Sequence, residues 1–194
     1  FLNLGRPAPR AVRALVALDL RNTKLVGSHV VDGLISVVRN CAGLRYLNLS
    51  RTRLRDAGTR EVLAALVFDP CTGDYRPHHG LRVLCLEECG LSGSVVPELL
   101  EAAGAVPLED LLLAKNELGD TGAKALASML RTPIGIRRTL TRLDLSYNRL
   151  TAWGLVALLD ALGGNRSLQS LDAGGNEGIG EGLAEASSES AQEV

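Results

Sequence analysis

The sequence predicts an α/β solenoid, a segment of a right-handed horseshoe with parallel strands on its concave face and helices on its convex face. Three observations support this. Leucines recur at places 1, 4, 6 and 11 of a unit that occurs about six times in the 194 residues. A polar or small residue recurs at place 9. Apolar residues then continue at the three- and four-residue spacing of a helix face. One such unit cannot bury its apolar face alone, so the copies are expected to stack.

The strand and turn of each unit are clearest in Leu140 to Leu150, which reads LTRLDLSYNRL. The stretch follows neither a helical period nor strict alternation throughout, which indicates a strand that ends in a turn. The first leucines of successive units are 29, 37, 27, 32 and 28 residues apart, so the base period is about 28 or 29. In the last unit Ala173 and Gly178 replace two leucines. We number the units 1 to 6 from these first leucines, Leu15, Leu44, Leu81, Leu108, Leu140 and Leu168.

The helix of each unit follows place 11. After Leu150, for example, Gly154, Leu158 and Leu162 lie four, eight and twelve residues further on. This spacing places them on one face of a helix of about three turns.

Place 9 lies where the chain leaves the strand and would leave backbone polar groups unpaired in the core. An asparagine amide both donates and accepts, so it can satisfy these groups and link one unit to the next. Threonine and cysteine do this less fully, so we expect a weaker ladder in the first half of the chain. The ladder positions are Thr23, Thr52, Cys89, Asn116, Asn148 and Asn176.

The predicted organisation is a degenerate N-terminal segment at 1–14, the solenoid at 15–180 and an acidic flexible tail at 181–194. Loop insertions at 68–80 and 132–139 both fall between a helix and the next strand, and so on one edge of the stack. They indicate either a docking edge or tolerated loop growth, because long surface loops destabilise little. Neither end shows a polar cap, which favours further chain or a partner there.

The composition excludes several classes of function. The net charge of −1 provides no general attraction to nucleic acid or to an anionic membrane. No run of 18 apolar residues is present, and the chain begins without the pattern of a signal peptide. The four cysteines lack the spacing of a secreted disulfide scaffold. We therefore expect an intracellular, cytoplasmic protein.

No pattern for catalysis or cofactor binding stands out. The glycine cluster at 174–182 does not follow a phosphate-binding fingerprint. Cys85 and Cys89 are expected to face different ways, because Cys85 is at an outward strand place. Cys71, His78 and His79 share the long insertion, but three ligands are one short of a closed zinc site. We expect no catalytic residue, metal, cofactor or small-molecule substrate.

The concave face is the predicted binding surface, formed by places 3, 5, 7 and 8. It contains two of the three tyrosines and several arginines, which are frequent interface anchors. Val83, Cys85 and Leu112 form an apolar centre with charge on both sides, as in protein interfaces. The alternative is an ordinary solvated strand face. The predicted partner-binding residues are Asp19, Arg21, Tyr46, Asn48, Arg51, Val83, Glu87, Asp110, Leu112, Lys115, Arg142, Asp144, Tyr147 and Asp172.

With these motifs the sequence resembles the ribonuclease-inhibitor type of leucine-rich repeat over roughly residues 15–180. The resemblance implies a non-enzymatic scaffold that binds proteins, and we expect a subunit of a large intracellular assembly, cytoskeletal or ciliary. One alternative is a GTPase activator similar to that of Ran, a family that uses an asparagine and an arginine from early repeats. Asn48 and Arg51 are exposed early residues of this chain, but they are not matched to those family positions. Another is the ligand-sensing repeat region of a NOD-like receptor, although Cys89 is a lone cysteine-type unit.

Overall fold

The sheet is built from one short strand of each unit. The structure is a computed structural model that describes residues 14–69, 74–75, 80–131 and 139–179. Six strands pair in parallel, each with the strand of the next unit, in the order β1–β2–β5–β6–β7–β8. Their bounds are β1 Ala17–Asp19, β2 Tyr46–Asn48, β5 Val83–Cys85, β6 Asp110–Leu112, β7 Arg142–Asp144 and β8 Ser170–Asp172.

A helix of 10 to 13 residues follows each of the first five strands of this sheet, as the spacing predicts. These helices are α1 Ser28–Asn40, α2 Arg55–Val67, α3 Val96–Ala105, α4 Gly119–Arg131 and α5 Ala152–Leu162. Sequential helices pack against one another, so sheet and helices form two layers around a shared core. A short 3₁₀ turn, Gly93–Val95, precedes α3. The predicted α/β solenoid is confirmed.

The strands pair without any shift in register, so residues at the same place of neighbouring units lie side by side. The place-4 leucines Leu47, Leu84, Leu111 and Leu143 are therefore stacked and buried. In units 1 and 6 the equivalent leucines are only partly buried, because each packs against a single neighbouring unit.

Three residues after the end of each strand of this sheet, the backbone is left-handed, a feature that periodicity does not predict. All six place-8 residues have φ between 51° and 67°. This conformation turns the chain sharply away from the strand direction, and L-residues other than glycine adopt it at a cost. The six residues are Asn22, Arg51, Glu88, Lys115, Tyr147 and Gly175.

The insertion at 68–80, predicted as a loop, contains a small antiparallel strand pair within its described residues. Strands β3 (Phe68–Asp69) and β4 (Asp74–Tyr75) pair Phe68 with Tyr75 and Asp69 with Asp74. The segment at 132–138, the first residues 1–13 and the tail from residue 180 lie outside the described residues. The predicted docking edge and flexible tail therefore stay predictions.

Candidate functional site

The parallel register brings the predicted binding residues into two rows across the concave face. At place 3, Tyr46, Val83, Asp110 and Arg142 occupy four adjacent strands. Neighbouring strands lie about 4.8 Å apart, so each row runs roughly 24 Å across the six strands. The residues of the second row, at place 5, are Asp19, Asn48, Cys85, Leu112, Asp144 and Asp172.

The polar side chains at place 5 have a structural task that the sequence reading missed. In units 1, 2, 5 and 6 the place-5 side chain accepts a hydrogen bond from the backbone N–H two residues later, which closes a local turn at the strand end. The four bonds are Arg21 N to Asp19 Oδ1 at 3.0 Å, Ser50 N to Asn48 Oδ1 at 3.0 Å, Ser146 N to Asp144 Oδ1 at 2.9 Å and Gly174 N to Asp172 Oδ1 at 2.8 Å. Part of the charge on this face thus supports the fold.

The two central units differ, because a thiol and a leucine occupy place 5. Leu112 and its neighbour Val83 are partly exposed, so they leave an apolar centre on the face. Cys85 is only 4% exposed. Cys85 lies at place 5 of the strand face, in register with Asn48 and Leu112, but its burial means that Val83 and Leu112 alone expose the predicted apolar centre. The centre lacks the place-5 turn that the outer units share.

Tyr46 explains why two place-5 residues are covered. Its hydroxyl lies 3.0 Å from Nδ2 of Asn48, which donates to it, so the tyrosine reaches over place 5 of its own unit. Asn48 is only 6% exposed, and the expectation that it is an exposed residue is wrong. Tyr46 itself is partly buried.

Burial also controls protonation at this centre. Burial raises the pKa of the Cys85 thiol to about 11, with a smaller opposing contribution from the Tyr46 hydroxyl. Burial likewise raises the pKa of Tyr46, which the hydrogen bond from Asn48 partly offsets. Both groups are neutral at physiological pH, so Cys85 and Tyr46 add no charge to the face, whereas Asp110 beside Val83 is paired with Arg142.

Ion pairs occupy the rim and use several predicted binding residues. Arg51 pairs with Glu88 across units 2 and 3, with 2.9 Å between Nε and Oε2. The other rim pairs join Arg21 to Asp19 and Arg142 to Asp110, each at 3.1 Å. Exposed pairs of this kind stabilise a fold by only about 0–1 kcal/mol. A partner can therefore exchange them at low cost.

Tyr147 is the most accessible aromatic residue of the face, with 57% of its surface exposed. The Lys115 Nζ atom lies 5.8 Å from its ring centroid, within reach of a cation–π contact. On the other side, a Cβ on Gly175 would approach the Tyr147 Cζ atom to 2.6 Å, so the glycine makes room for the ring. The ring is held in place without being covered.

The asparagines of units 4 to 6 join neighbouring turns. Oδ1 of Asn116 accepts from the N–H groups of Cys89 and Leu91 in unit 3, at 3.0 and 3.1 Å. Its Nδ2 donates to the carbonyl of Leu86 at 2.8 Å. Asn176 makes the same contacts with unit 5, and Asn148 bonds the Leu113 carbonyl of unit 4 at 2.8 Å.

The ladder is thinner in units 1 to 3. Thr52 is buried, yet its hydroxyl donates to Leu49 of its own unit at 2.5 Å, and Thr23 is exposed and bonds its own Leu20 carbonyl. Cys89 reaches the preceding unit through its thiol, 3.1 Å from the Leu49 carbonyl oxygen.

A second ladder, which the sequence reading missed, joins the helix ends. The carboxylate of Asp56 accepts from the Ser92 N–H at 2.8 Å and from the Ser92 hydroxyl at 2.6 Å. Asp120 contacts Thr151 in the same way, at 2.8 and 2.5 Å. The available signal was an aspartate at place 13 followed, one unit later, by serine or threonine at place 12.

The described part of the chain contains no group of three histidine, cysteine or acidic side chains arranged to hold a metal. Cys71, His78 and His79 lie outside it. Over the same residues, no helix combines the length and the apolarity needed to cross a bilayer.

Comparison with known proteins agrees with the geometry. A family model described as "Leucine Rich repeat" matches residues 107–127 and 138–159. Ribonuclease inhibitor of Sus scrofa is 34% identical over 131 residues, which are 67% of this chain and 27% of that protein. The "NACHT, LRR and PYD domains-containing protein 4B" of Mus musculus is 34% identical over 115 residues, 59% of this chain and 12% of that protein. The chain thus spans about a quarter or less of these two relatives.

Among solved structures, the tropomodulin C-terminal domain from Caenorhabditis elegans covers 93% of this chain and 89% of its own, with a TM-score of 0.47 and 15% identity. Stacked strand–turn–helix units, the shared register and the sequence matches define a leucine-rich-repeat protein. Within that class, the chain is of the ribonuclease-inhibitor-like kind.

Proposed function

We propose that the chain is a non-enzymatic scaffold that binds another protein through its concave strand face. The observation that carries this proposal is the apolar centre of the concave face, where Val83 and Leu112 are partly exposed and Cys85 is buried beneath the surface. The outer units close their strand ends with place-5 carboxylates or an amide, whereas the two central units give up that turn. An apolar centre within a charged rim is the anatomy of a protein interface.

The aromatic residues support the same surface. Tyr46 lies beside the apolar centre, and Tyr147 presents an exposed ring two strands beyond it. Tyrosine is enriched among residues that dominate binding energy, because it covers a large area with few torsions to immobilise. The extended concave surface of a solenoid suits an equally extended partner.

The test is affinity purification of the full-length protein from its own cells, followed by mass spectrometry of proteins that remain after a salt wash. The variant is Tyr46→Ala, Leu112→Asp, Tyr147→Ala, and Tyr147→Ala alone is run beside it. Leu159→Asp is the matched control, because Leu159 is 51% exposed on α5, away from the sheet. We expect one fixed set of proteins to be lost in the triple variant and retained in the control.

Two results would contradict the proposal. Retention of the same set by a folded triple variant would move the binding site to the insertion edge or the helices. Recovery of a small GTPase alone would contradict the scaffold and favour the alternative hypothesis, a GTPase-activating protein. The intracellular location and the place in a large cytoskeletal or ciliary assembly stay predictions, and the identities of the co-purified proteins test them.

A second candidate is the repeat region of a larger receptor. The similarity to the mouse protein named for NACHT, LRR and PYD domains favours it, because this chain matches only 12% of that protein. The sequence of the full-length transcript separates the two readings. A nucleotide-binding module in the same polypeptide would support the receptor, and its absence would support the scaffold.

A further inference from the structure

A second charged surface lies beside the concave face, where the strands turn toward the helices. A groove of about 310 Å³ opens there between the turns of units 2, 3 and 4. We call it the turn-edge groove. The groove is lined by Arg53, Arg55, Glu88, Cys89, Gly90, Lys115 and Glu117.

The two acidic residues of this groove already have partners. Glu88 pairs with Arg51 at 2.9 Å, and Glu117 pairs with Arg149 at 2.7 Å. Among the residues that the structure describes, no carboxylate lies within ion-pair distance of Arg53, Arg55 or Lys115. All three are exposed. The groove therefore carries three uncompensated cations in a protein whose net charge is −1.

Left-handed backbones recur along this edge. Arg51, Arg53 and Arg55 have φ values between 52° and 60°; Arg51 shares this with the other place-8 residues, and Arg53 shares it with Arg149 of unit 5 at φ 59°. Gly90, at the place of Arg53 in unit 3, adopts this conformation with φ 73°, and Gly119, at the place of Arg55 in unit 4, with φ 58°. A left-handed L-residue costs roughly 1 kcal/mol more than glycine. Arg53 and Arg55 thus stand at places where units 3 and 4 have a left-handed glycine, which would be less strained, and this is consistent with a role for their charge.

The chemistry selects the ligand. A guanidinium group can bind a carboxylate through two parallel hydrogen bonds. On this edge Glu88 and Glu117 are already paired with arginines, each through one contact. A nucleic acid is disfavoured, because the chain has a net charge of −1 and lacks the broad positive surface that a phosphate backbone requires. We propose that the turn-edge groove binds an acidic segment of a partner protein, a short run of aspartate or glutamate. Lys115 belongs to both this groove and the predicted concave-face residues, whereas Arg53 and Arg55 belong to the groove alone and therefore carry the test.

The experiment is fluorescence anisotropy of the full chain with a labelled hexaglutamate peptide, at low ionic strength and again with added salt. A peptide of six residues extends over roughly 20 Å, enough to cross three units. Arg53→Gly with Arg55→Gly should weaken binding about tenfold, because two exposed charge pairs are lost. The double variant should unfold at the same temperature as the parent or above it, since glycine fits both backbones.

The matched control is Arg39→Ala with Lys124→Ala, which removes the same charge from exposed places on α1 and α4. It should bind the peptide as the parent does. If both variants lost the same affinity for hexaglutamate, net charge alone would explain the binding, and the proposal would be overturned. Binding of hexaserine as tight as that of hexaglutamate, or tighter binding of single-stranded RNA than of the peptide, would also overturn it. A failure here leaves the concave-face experiment unaffected.

Discussion

The amide of Asn116 satisfies two N–H groups and one carbonyl of unit 3 that belong to fully buried residues. Water does not reach the Cys89, Leu91 and Leu86 positions, each no more than 1% exposed. A buried backbone group that loses its hydrogen-bond partner destabilises the folded state by its uncompensated desolvation free energy. The place-9 side chain therefore contributes more to stability than its volume suggests.

This leads to a prediction about two ladder positions. Asn116→Ala should lower the free energy of unfolding by about 2–4 kcal/mol, because it leaves several buried backbone groups unpaired. Thr52→Ala should cost about 1 kcal/mol, since its hydroxyl bonds a carbonyl of its own unit and reaches unit 3 only through a long contact, 3.9 Å, with the Cys89 thiol. Urea unfolding followed by circular dichroism measures both. Equal losses would show that the threonine links its units as strongly as the asparagine does.

At the scale of elements, the Asp56 carboxylate connects the start of α2 to the turn before α3. It accepts from Ser92 twice and from the Ser94 hydroxyl at 2.9 Å. Burial opposes its ionisation, but the hydrogen bonds from Ser92 and Ser94 and the charge of Arg60 outweigh burial, so the pKa of Asp56 lies below its ordinary 3.8. The ionised carboxylate thus contributes to the packing of two adjacent units.

The sign of the pH dependence follows. A carboxyl group with a lowered pKa in the folded state stabilises the fold above its unfolded pKa, and the contribution disappears as pH falls through the folded pKa. Asp56→Ala should therefore cost about 1–3 kcal/mol at pH 7. The difference from the parent should shrink as pH falls below about 4. Urea midpoints of both proteins at pH 7 and pH 3 test this, and an undiminished difference at pH 3 would exclude the carboxylate as its source.

The sequence predicts the elements well and their connections less well. Leucine spacing defines strand, turn and helix, because each apolar side chain has to reach one shared core. It does not reveal the left-handed turns at Arg51 and Tyr147, since no residue type recurs at place 8 to mark them. Nor does it reveal the pair Asp56–Ser92, whose partners are 36 residues apart. Asn48 is buried because the Tyr46 side chain folds over it and accepts its hydrogen bond. A sequence pattern does not predict this side-chain conformation. The predicted binding role of the concave residues stays a prediction.

At the scale of the whole molecule, each unit contacts mainly the units on either side. Contacts between helices run along the stack from α1 to α5, and each strand pairs only with its neighbours. Stability in such a stack is approximately a sum of unit and nearest-neighbour contributions. Two surfaces then share one rigid support, the concave face and the turn-edge groove, and a substitution in either need not disturb the other.

The same architecture predicts a gradient of sensitivity along the chain. Leu111→Ala in the central unit should lower the free energy of unfolding by about 2–5 kcal/mol, because the side chain is fully buried between two neighbouring strands. Leu171→Ala at the equivalent place in unit 6 should cost less than half as much. The Leu171 side chain is partly exposed, and within the described residues its strand, β8, pairs with β7 alone. Urea unfolding of the two variants measures the difference. Amide hydrogen exchange of the parent should show slower exchange at β6 than at β8. Equal costs and equal protection would mean that the units unfold as one cooperative block, with the neighbour contributions spread evenly over the stack.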